Sequence, residues 1–333
     1  MAESAHHSSG DQPAANTFPT RPYGRLHQRL ANGEFAITAE AVPPRGADLD
    51  SIRRVARSVR DWVDAVNVTD GQSAEVRLPS WAACICLLQE QVEPVVQFTC
   101  RDRNRIALQS DLLGAVALGV PNVSLMTGDA IHLGDDPDAK PVFDLDTLGL
   151  IRMVCRIRDQ GVLASGRELT RAPRCFVGVV EDPFAPDSAS RLEAKIEAGA
   201  QFVQTQFVFD VDRFGQWMKQ VRDRGLEKRC YILASVGTAR TPSALEHLKS
   251  LPGVYLPEAV ERRLRGVPSD QLESEAISLC AETVQALRET AGVAGVHVVA
   301  AGAELPEVLK RAGIGRRTPL VVSSASSSSE GDA

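Results

Sequence analysis

Two periods of apolar and polar residues alternate along the 333-residue chain. Short β-prone runs start near Phe35 (FAITAEAV), Ala65 (AVNVTD), Pro94 (PVVQFTC), Val123 (VSLMTG), Cys175 (CFVGVV), Phe202 (FVQTQFVF), Cys230 (CYILASV) and Val296 (VHVVAA). Between them, SIRRVARSVRDW, RIALQSDLLGAVALGV and RLEAKIEAGA space their apolar residues three and four apart, the period of a helix with one buried face. The runs start 30, 29, 29, 52, 27, 28 and 66 residues apart. A strand, its loops and a covering helix take roughly 30 residues, so the pattern predicts repeated βα units. The long intervals leave room for extra loop or helix at 130–145 and 253–270. Eight units predict one (β/α)8 TIM barrel rather than an open doubly wound sheet. Neither G-x-G-x-x-G after the first run nor a P-loop pattern is present. The barrel is expected over 20–316. The flanks 1–19 and 317–333, the latter ending in SSASSSSEGDA, have too little apolar surface to order themselves and are expected to be disordered tails.

Composition narrows the function classes. Hydrophobic residues at 44% and charged residues at 24% allow a sizeable core. No apolar run approaches the roughly 20 residues of a membrane span, and the first residues lack the apolar centre of a signal peptide. A net charge of −6 argues against a nucleic-acid partner. The 7 cysteines are irregularly placed with no C-x-x-C, which predicts reduced, buried thiols in a cytoplasmic protein; Cys84 and Cys86 read as core. His6 and His7 lie in a polar tail and read as incidental, and no metal site is expected.

A barrel enzyme builds its site at the C-terminal ends of its strands, while strand middles are expected to be apolar. Here those ends are polar: Glu40; Asn67, Thr69 and Asp70; Gln97, Thr99 and Arg101; Thr127, Gly128 and Asp129; Gln204 and Gln206. Alternation puts Gln204 and Gln206 on one face of their strand, where buried amides need partners or a ligand. Glu40 stands among apolar residues just before the rigid Pro43-Pro44 exit. A carboxylate desolvated there favours its protonated form and suits a proton donor; the bland alternative is an ion pair with Arg45 or Arg101. Asp129 after Gly128 is by itself an ordinary turn. The run TCRDRNR before a helix reads as a salt-bridged start capped by Asp102 or Asn104.

Taken together these segments resemble the methylenetetrahydrofolate reductases. Glu40-Ala-Val-Pro-Pro-Arg45 is similar to the family's first-strand E-x-x-P-P-[RK], and Asn67-Val-Thr-Asp-Gly71 to its second-strand segment. Gln97-Phe-Thr-Cys100 resembles H-L-T-C, and Thr127-Gly-Asp129 resembles R-G-D. Lys195-Ile-Glu-Ala-Gly199 with Thr205-Gln-Phe207 resembles K-x-x-A-G and T-Q-[FP]. Order and spacing over 35–210 carry the match; CRDRNRIALQSDLLGAVALGV resembles the branch fused to homocysteine methyltransferases, implying a stand-alone reductase or one subunit of an assembly. The resemblance implies that NADH or NADPH reduces 5,10-methylenetetrahydrofolate to 5-methyltetrahydrofolate through FAD. It also implies that Glu40 protonates folate N10, that Asp129 stabilises the resulting cation, and that Gln206 hydrogen-bonds folate. Thr69, Gln97, Thr99, Thr127, Gly128, Asp129 and Lys195 are then expected around the cofactor. Three segments depart from the family pattern: Gln97 for histidine, Thr127 for arginine, and Val180-Glu-Asp-Pro-Phe184 for Y-P-E-x-H-P. Two alternatives therefore stand beside the flavoenzyme: a flavin-independent reductase with direct hydride transfer from NADH, and a non-catalytic barrel subunit that binds folate or a partner. A homo-oligomer is compatible with the chain.

Overall fold

The computed structural model describes residues 21–299, 302 and 304–317. Eight parallel strands close into one barrel in sequence order: β1 Ala36–Ala41, β2 Ala65–Val68, β3 Pro94–Thr99, β4 Asn122–Met126, β5 Phe176–Glu181, β6 Phe202–Phe207, β7 Tyr231–Gly237 and β8 Val293–Val299. Helices precede, alternate with and follow them: α1 Arg25–Ala31, α2 Asp50–Val59, α3 Ser80–Gln89, α4 Arg105–Ala117, α5 Thr147–Gln160, α6 Ser188–Glu197, α7 Val211–Asp223, α8 Pro242–Ser250, α9 Glu258–Arg265, α10 Leu272–Glu289 and α11 Glu304–Arg311. The TIM barrel expected from the repeat is the fold. The long gap at 130–145 holds an irregular loop with a short turn at Ile131–Leu133, and that at 253–270 holds α9. Among the described residues no helix is long and apolar enough to cross a membrane. The two expected tails lie outside the described residues except for Arg317. That residue is bonded to the barrel, its N–H to the Asp61 carbonyl at 2.7 Å and its guanidinium to the Phe35 carbonyl at 2.8 Å.

Local capping chemistry starts four of the helices. Asn104, one of the two predicted caps, accepts from the N–H groups of Ile106 and Ala107 at the head of α4. Asp146, Asp210 and Thr241 do the same for α5, α7 and α8. All seven cysteines are free and buried.

Strand alternation divides the apolar residues in an unexpected way. Ile37, Ala39, Val66, Val96, Phe98, Val177, Val203, Ile232 and Val296 belong to the main core, between the strands and the helices around them. The other face of each strand looks into the lumen, and there the middle layer is polar: Thr38, Asn67, Gln97, Ser124, Gln204, Ser235 and His297 are all buried. Register pairs several of these across neighbouring strands, Thr38 with His297, Gln97 with Ser124 and Ser235 with His297. The expectation of apolar strand middles therefore holds for the helix-facing side and fails for the lumen. The bottom of the lumen is filled instead by rings. Phe176 and Phe202 stack at 4.7 Å, and His27 of α1 stacks on Phe176 at 4.6 Å. Gly178 makes this fit, since a Cβ there would lie 2.1 Å from the Phe202 ring. Half-buried Glu93 secures α1 by accepting from the Leu26 N–H at 2.9 Å and the Asn122 amide at 2.8 Å.

Candidate active site

The C-terminal strand ends open into a mouth with two adjoining lobes of about 540 and 420 Å³. Glu40, Gln72, Gln97, Asp129, Val180, Thr205 and Gln206 border both. The larger lobe runs under α8 and the 250–252 turn, with Asn67, Gln204 and His297 at depth and Leu133, Phe207, Leu251 and Val299 as apolar walls. The smaller lobe adds Thr69, Asp70, Thr99, Thr127, Gly128, Glu181, Asp182 and Lys195. Apart from Arg101, the residues singled out from the sequence thus meet in one place, although they come from five strand ends and from α6.

Glu40 is nearly buried, its side chain 13% exposed. Neither predicted ion-pair partner reaches it. Arg45 pairs with Glu75, and the Arg101 guanidinium holds Asp102 and the Gly71 carbonyl. Strand register explains this: Glu40 points into the lumen, where its partner is His297 of β8, with Nε2 3.6 Å from Oε2. Asp129 sits at the lip, its Oδ2 accepting from the Ser73 N–H at 2.7 Å. Ser73 and Ala74 both hold left-handed backbone (φ 58° and 56°), a conformation that costs a non-glycine residue of order 1 kcal/mol or more. The 131–134 loop packs on them so closely that a Cβ on Gly134 would lie 1.9 Å from the Ala74 carbonyl. The strained turn is thereby clamped where it steadies Asp129.

Gln206 spends its amide on the protein, donating to the Pro252 carbonyl at 2.9 Å and accepting from its neighbour Phe207 at 2.9 Å. Gln97 is buried behind Ser80, whose hydroxyl donates to the Gln97 carbonyl. Thr99 donates its N–H and hydroxyl to Asp70, which also pairs with Arg103. Burial nevertheless pushes the Asp70 carboxyl above its usual range, outweighing the guanidinium and the two Thr99 donors. The Thr127 hydroxyl shares a hydrogen bond with Thr147 at 2.8 Å. Gly128 (φ 94°) lets the strand end fold tightly over Thr99, where a Cβ would approach to 3.0 Å. Thr69 lines the smaller lobe, and its buried Oγ1 has no hydrogen-bond partner among the described residues.

Lys195, expected around the cofactor, lines the smaller lobe, where its ammonium donates to the Val180 carbonyl at 2.6 Å and to Glu181 at 2.8 Å. Glu181, 4% exposed, also takes Arg191 and Ser188. Among its described lining residues the smaller lobe therefore carries five carboxylates, Glu40, Asp70, Asp129, Glu181 and Asp182, against one cation that is already paired. A resident flavin dinucleotide needs cations or free backbone donors for its doubly charged diphosphate. These residues do not fit that group, and no step is derived through it.

Three participants escaped the sequence. His297 was one histidine in an apolar run; its signal was the alternation that puts it inward, one register pair from Thr38. Glu181 reads locally as a turn residue, and Ser73 acts through its backbone, which side-chain patterns do not report.

Comparison with known proteins agrees with this geometry. Residues 25–313 match the family model described as methylenetetrahydrofolate reductase. The chain is 20% identical over 322 residues to a Caenorhabditis elegans protein described as a probable methylenetetrahydrofolate reductase (NADPH). That match covers 90% of this chain and 46% of the relative, so the chain spans about half the relative's length. Among solved structures, an uncharacterized Clostridium thermocellum protein that binds two copies of 5-methyl-5,6,7,8-tetrahydrofolic acid superposes with a TM-score of 0.58. The identity is 15%, over 86% of this chain and 97% of that one. The riboflavin lyase RcaE, solved with modified FMN and riboflavin, superposes with a TM-score of 0.51 at 10% identity, over 84% and 92% of the two chains. At such identities these two structures speak for the barrel alone, whereas the family model covers nearly the whole described chain. The chain belongs to the methylenetetrahydrofolate reductase family.

Proposed function

We propose that the protein reduces 5,10-methylenetetrahydrofolate to 5-methyltetrahydrofolate, with hydride passed directly from NADH or NADPH. The observation that supports it best is the placement of Glu40, a nearly buried carboxyl on the border of both lobes, within a mouth rich in further carboxylates. In this reading the folate ring system lies in the larger lobe, against Leu251, Phe207 and Val299. Glu40 gives its proton to N10, the C–N10 bond of the five-membered ring opens, and N5 carries an iminium cation. Asp129, held by Ser73, faces that charge from the lip. Gln206 exchanges its bond to Pro252 for one to the pterin. A general acid placed in this way contributes roughly 10²- to 10⁴-fold.

The acidic smaller lobe suits the hydride donor better than it suits a flavin. Dihydronicotinamide is uncharged and becomes a pyridinium cation as it gives up hydride, so Asp129 and Asp182 favour the charge that develops in the transition state. A co-substrate needs only its ring inside, with its diphosphate left at the solvent edge, whereas a resident dinucleotide must be held throughout. Orphaned Thr69 Oγ1 offers a hydrogen-bonding partner for a carboxamide.

The test is a visible absorption spectrum of the purified protein, followed by NAD(P)H oxidation with and without methylenetetrahydrofolate. A colourless protein that oxidises NAD(P)H only in the presence of the folate is expected. Flavin absorption with acceptor-independent flavin reduction would restore the FAD relay. A colourless protein inert to both substrates would leave the binding-subunit alternative.

A further inference from the structure

Below Glu40 the polar layer of the lumen is connected by hydrogen bonds whose directions follow from which atoms carry hydrogen. Asn67 and Gln204 form a reciprocal amide pair: the Asn67 Nδ2 donates to Gln204 Oε1 at 2.6 Å, and the Gln204 Nε2 donates to Asn67 Oδ1 at 3.0 Å. In this arrangement the second Gln204 N–H donates to the Thr38 hydroxyl at 3.1 Å. Thr38 has one hydrogen and one further neighbour, the His297 Nδ1 at 2.9 Å. With Gln204 already donating to the oxygen, the Thr38 hydrogen is directed to that nitrogen. Nδ1 then accepts, and a neutral imidazole carries its hydrogen on Nε2, which faces Glu40 Oε2 at 3.6 Å.

We infer that His297 is a positioning residue for Glu40, and that the Asn67–Gln204–Thr38 relay sets its tautomer. At 3.6 Å the Nε2–H faces Oε2 from just beyond hydrogen-bond range, so its dipole favours negative charge on that oxygen. In the reductase reading the transferable proton is then carried on Oε1, and the carboxylate formed after transfer needs only a small shift to take the Nε2–H as a donor. The relay costs nothing to reorganise during the reaction, because all five side chains sit on four barrel strands and are buried or nearly so. The inference deepens the reductase reading and rests on it for the direction of proton transfer, whereas the tautomer itself is independent of any activity.

The experiment is a long-range ¹H–¹⁵N correlation spectrum of histidine-labelled protein near neutral pH, with the His297 signals assigned by their loss in His297→Gln. An Nε2–H pattern is expected, giving way in Thr38→Val to mixed tautomers. In parallel, Thr38→Val should lower kcat for folate reduction roughly 10- to 100-fold with the KM for NAD(P)H unchanged, and Thr38→Ser should restore most of it. His297→Gln, which keeps a donor near Glu40, should lose less than His297→Leu. An Nδ1–H or doubly protonated ring in the native protein would overturn the inference, as would Thr38→Val leaving both tautomer and kcat unchanged. If Thr38→Val does not fold, the native spectrum and the Gln–Leu contrast decide. An Nε2–H ring in a protein without reductase activity would refute the reductase reading while leaving the tautomer assignment standing.

Discussion

The two ends of the barrel lumen are built from the same eight strands and have opposite chemistry. At the bottom, Phe176, Phe202, Leu233 and Ala36 make a dry plug closed by α1. There, burial pushes the His27 imidazole down to about 4, with a smaller contribution from the nearby Arg174 charge. At the top the same inward positions carry Glu40, Thr69 and Thr99, and carboxylates outnumber cations. Both ends are set by period-two alternation, so each strand contributes one residue to stability and, two or four positions on, one to the site. Stability and chemistry are thus separated along the strand rather than between strands, as barrel enzymes generally arrange them. Substitutions at one end should leave the other end's property intact.

The sharpest test of that separation is Glu40→Gln. Folate reduction should fall about 10²- to 10⁴-fold, while NAD(P)H binding, measured by quenching of its fluorescence, and the melting temperature stay close to native. A native-like kcat, or a loss of NAD(P)H binding as large as the loss of rate, would remove Glu40 as proton donor. At the opposite end, Phe202→Ala should cost about 3–5 kcal/mol in urea unfolding, from lost transfer energy plus the cavity left beneath Gly178. The folded fraction should keep its KM for folate; a changed KM would mean that the two ends are coupled.

His27 supplies a test by pH. Its folded pKa of about 4 lies below the ordinary 6.5, so the unfolded chain binds the proton first as pH falls. Its contribution is complete above the unfolded value and is lost as pH drops from 6.5 towards 4, by up to about 3 kcal/mol. Unfolding free energies measured over that range should slope accordingly, and His27→Phe should flatten the slope. A native-like slope in the variant would assign it to other groups. The smallest effect is expected at Asp129→Asn. Loss of a charge facing the iminium should lower kcat for folate reduction about 10- to 100-fold, with the KM for NAD(P)H less affected. Normal folate kinetics in that variant would take Asp129 out of the mechanism.

Much of the frame was legible because it rests on local pattern. Each predicted strand start falls within a few residues of the observed one, since a buried parallel strand must be a short apolar run between turns. Glu40, Asp129 and Gln206 could be grouped from sequence because strand ends of a barrel converge whatever lies between them. The rest depended on register. Strand patterns alone cannot tell that Thr38 stands beside His297, which is 259 residues away, or that Gln204 meets Asn67 across 137. Nor can they tell that Lys195 pairs with Glu181 of the preceding strand.

The chain by itself therefore determined the eightfold repeat, the helix starts at Asn104, Asp146 and Thr241, and the polar rim, because period, capping and turn chemistry act over a few residues. Closure of the sheet decided what those rim residues do. Only the shear between strands chooses which side chains share a layer, and a charge acquires its partner, its burial and its proton from that layer. Glu40 is a carboxylate in any conformation of this chain. Tertiary structure places its Oε2 beside His297 Nε2 rather than beside Arg45 or Arg101.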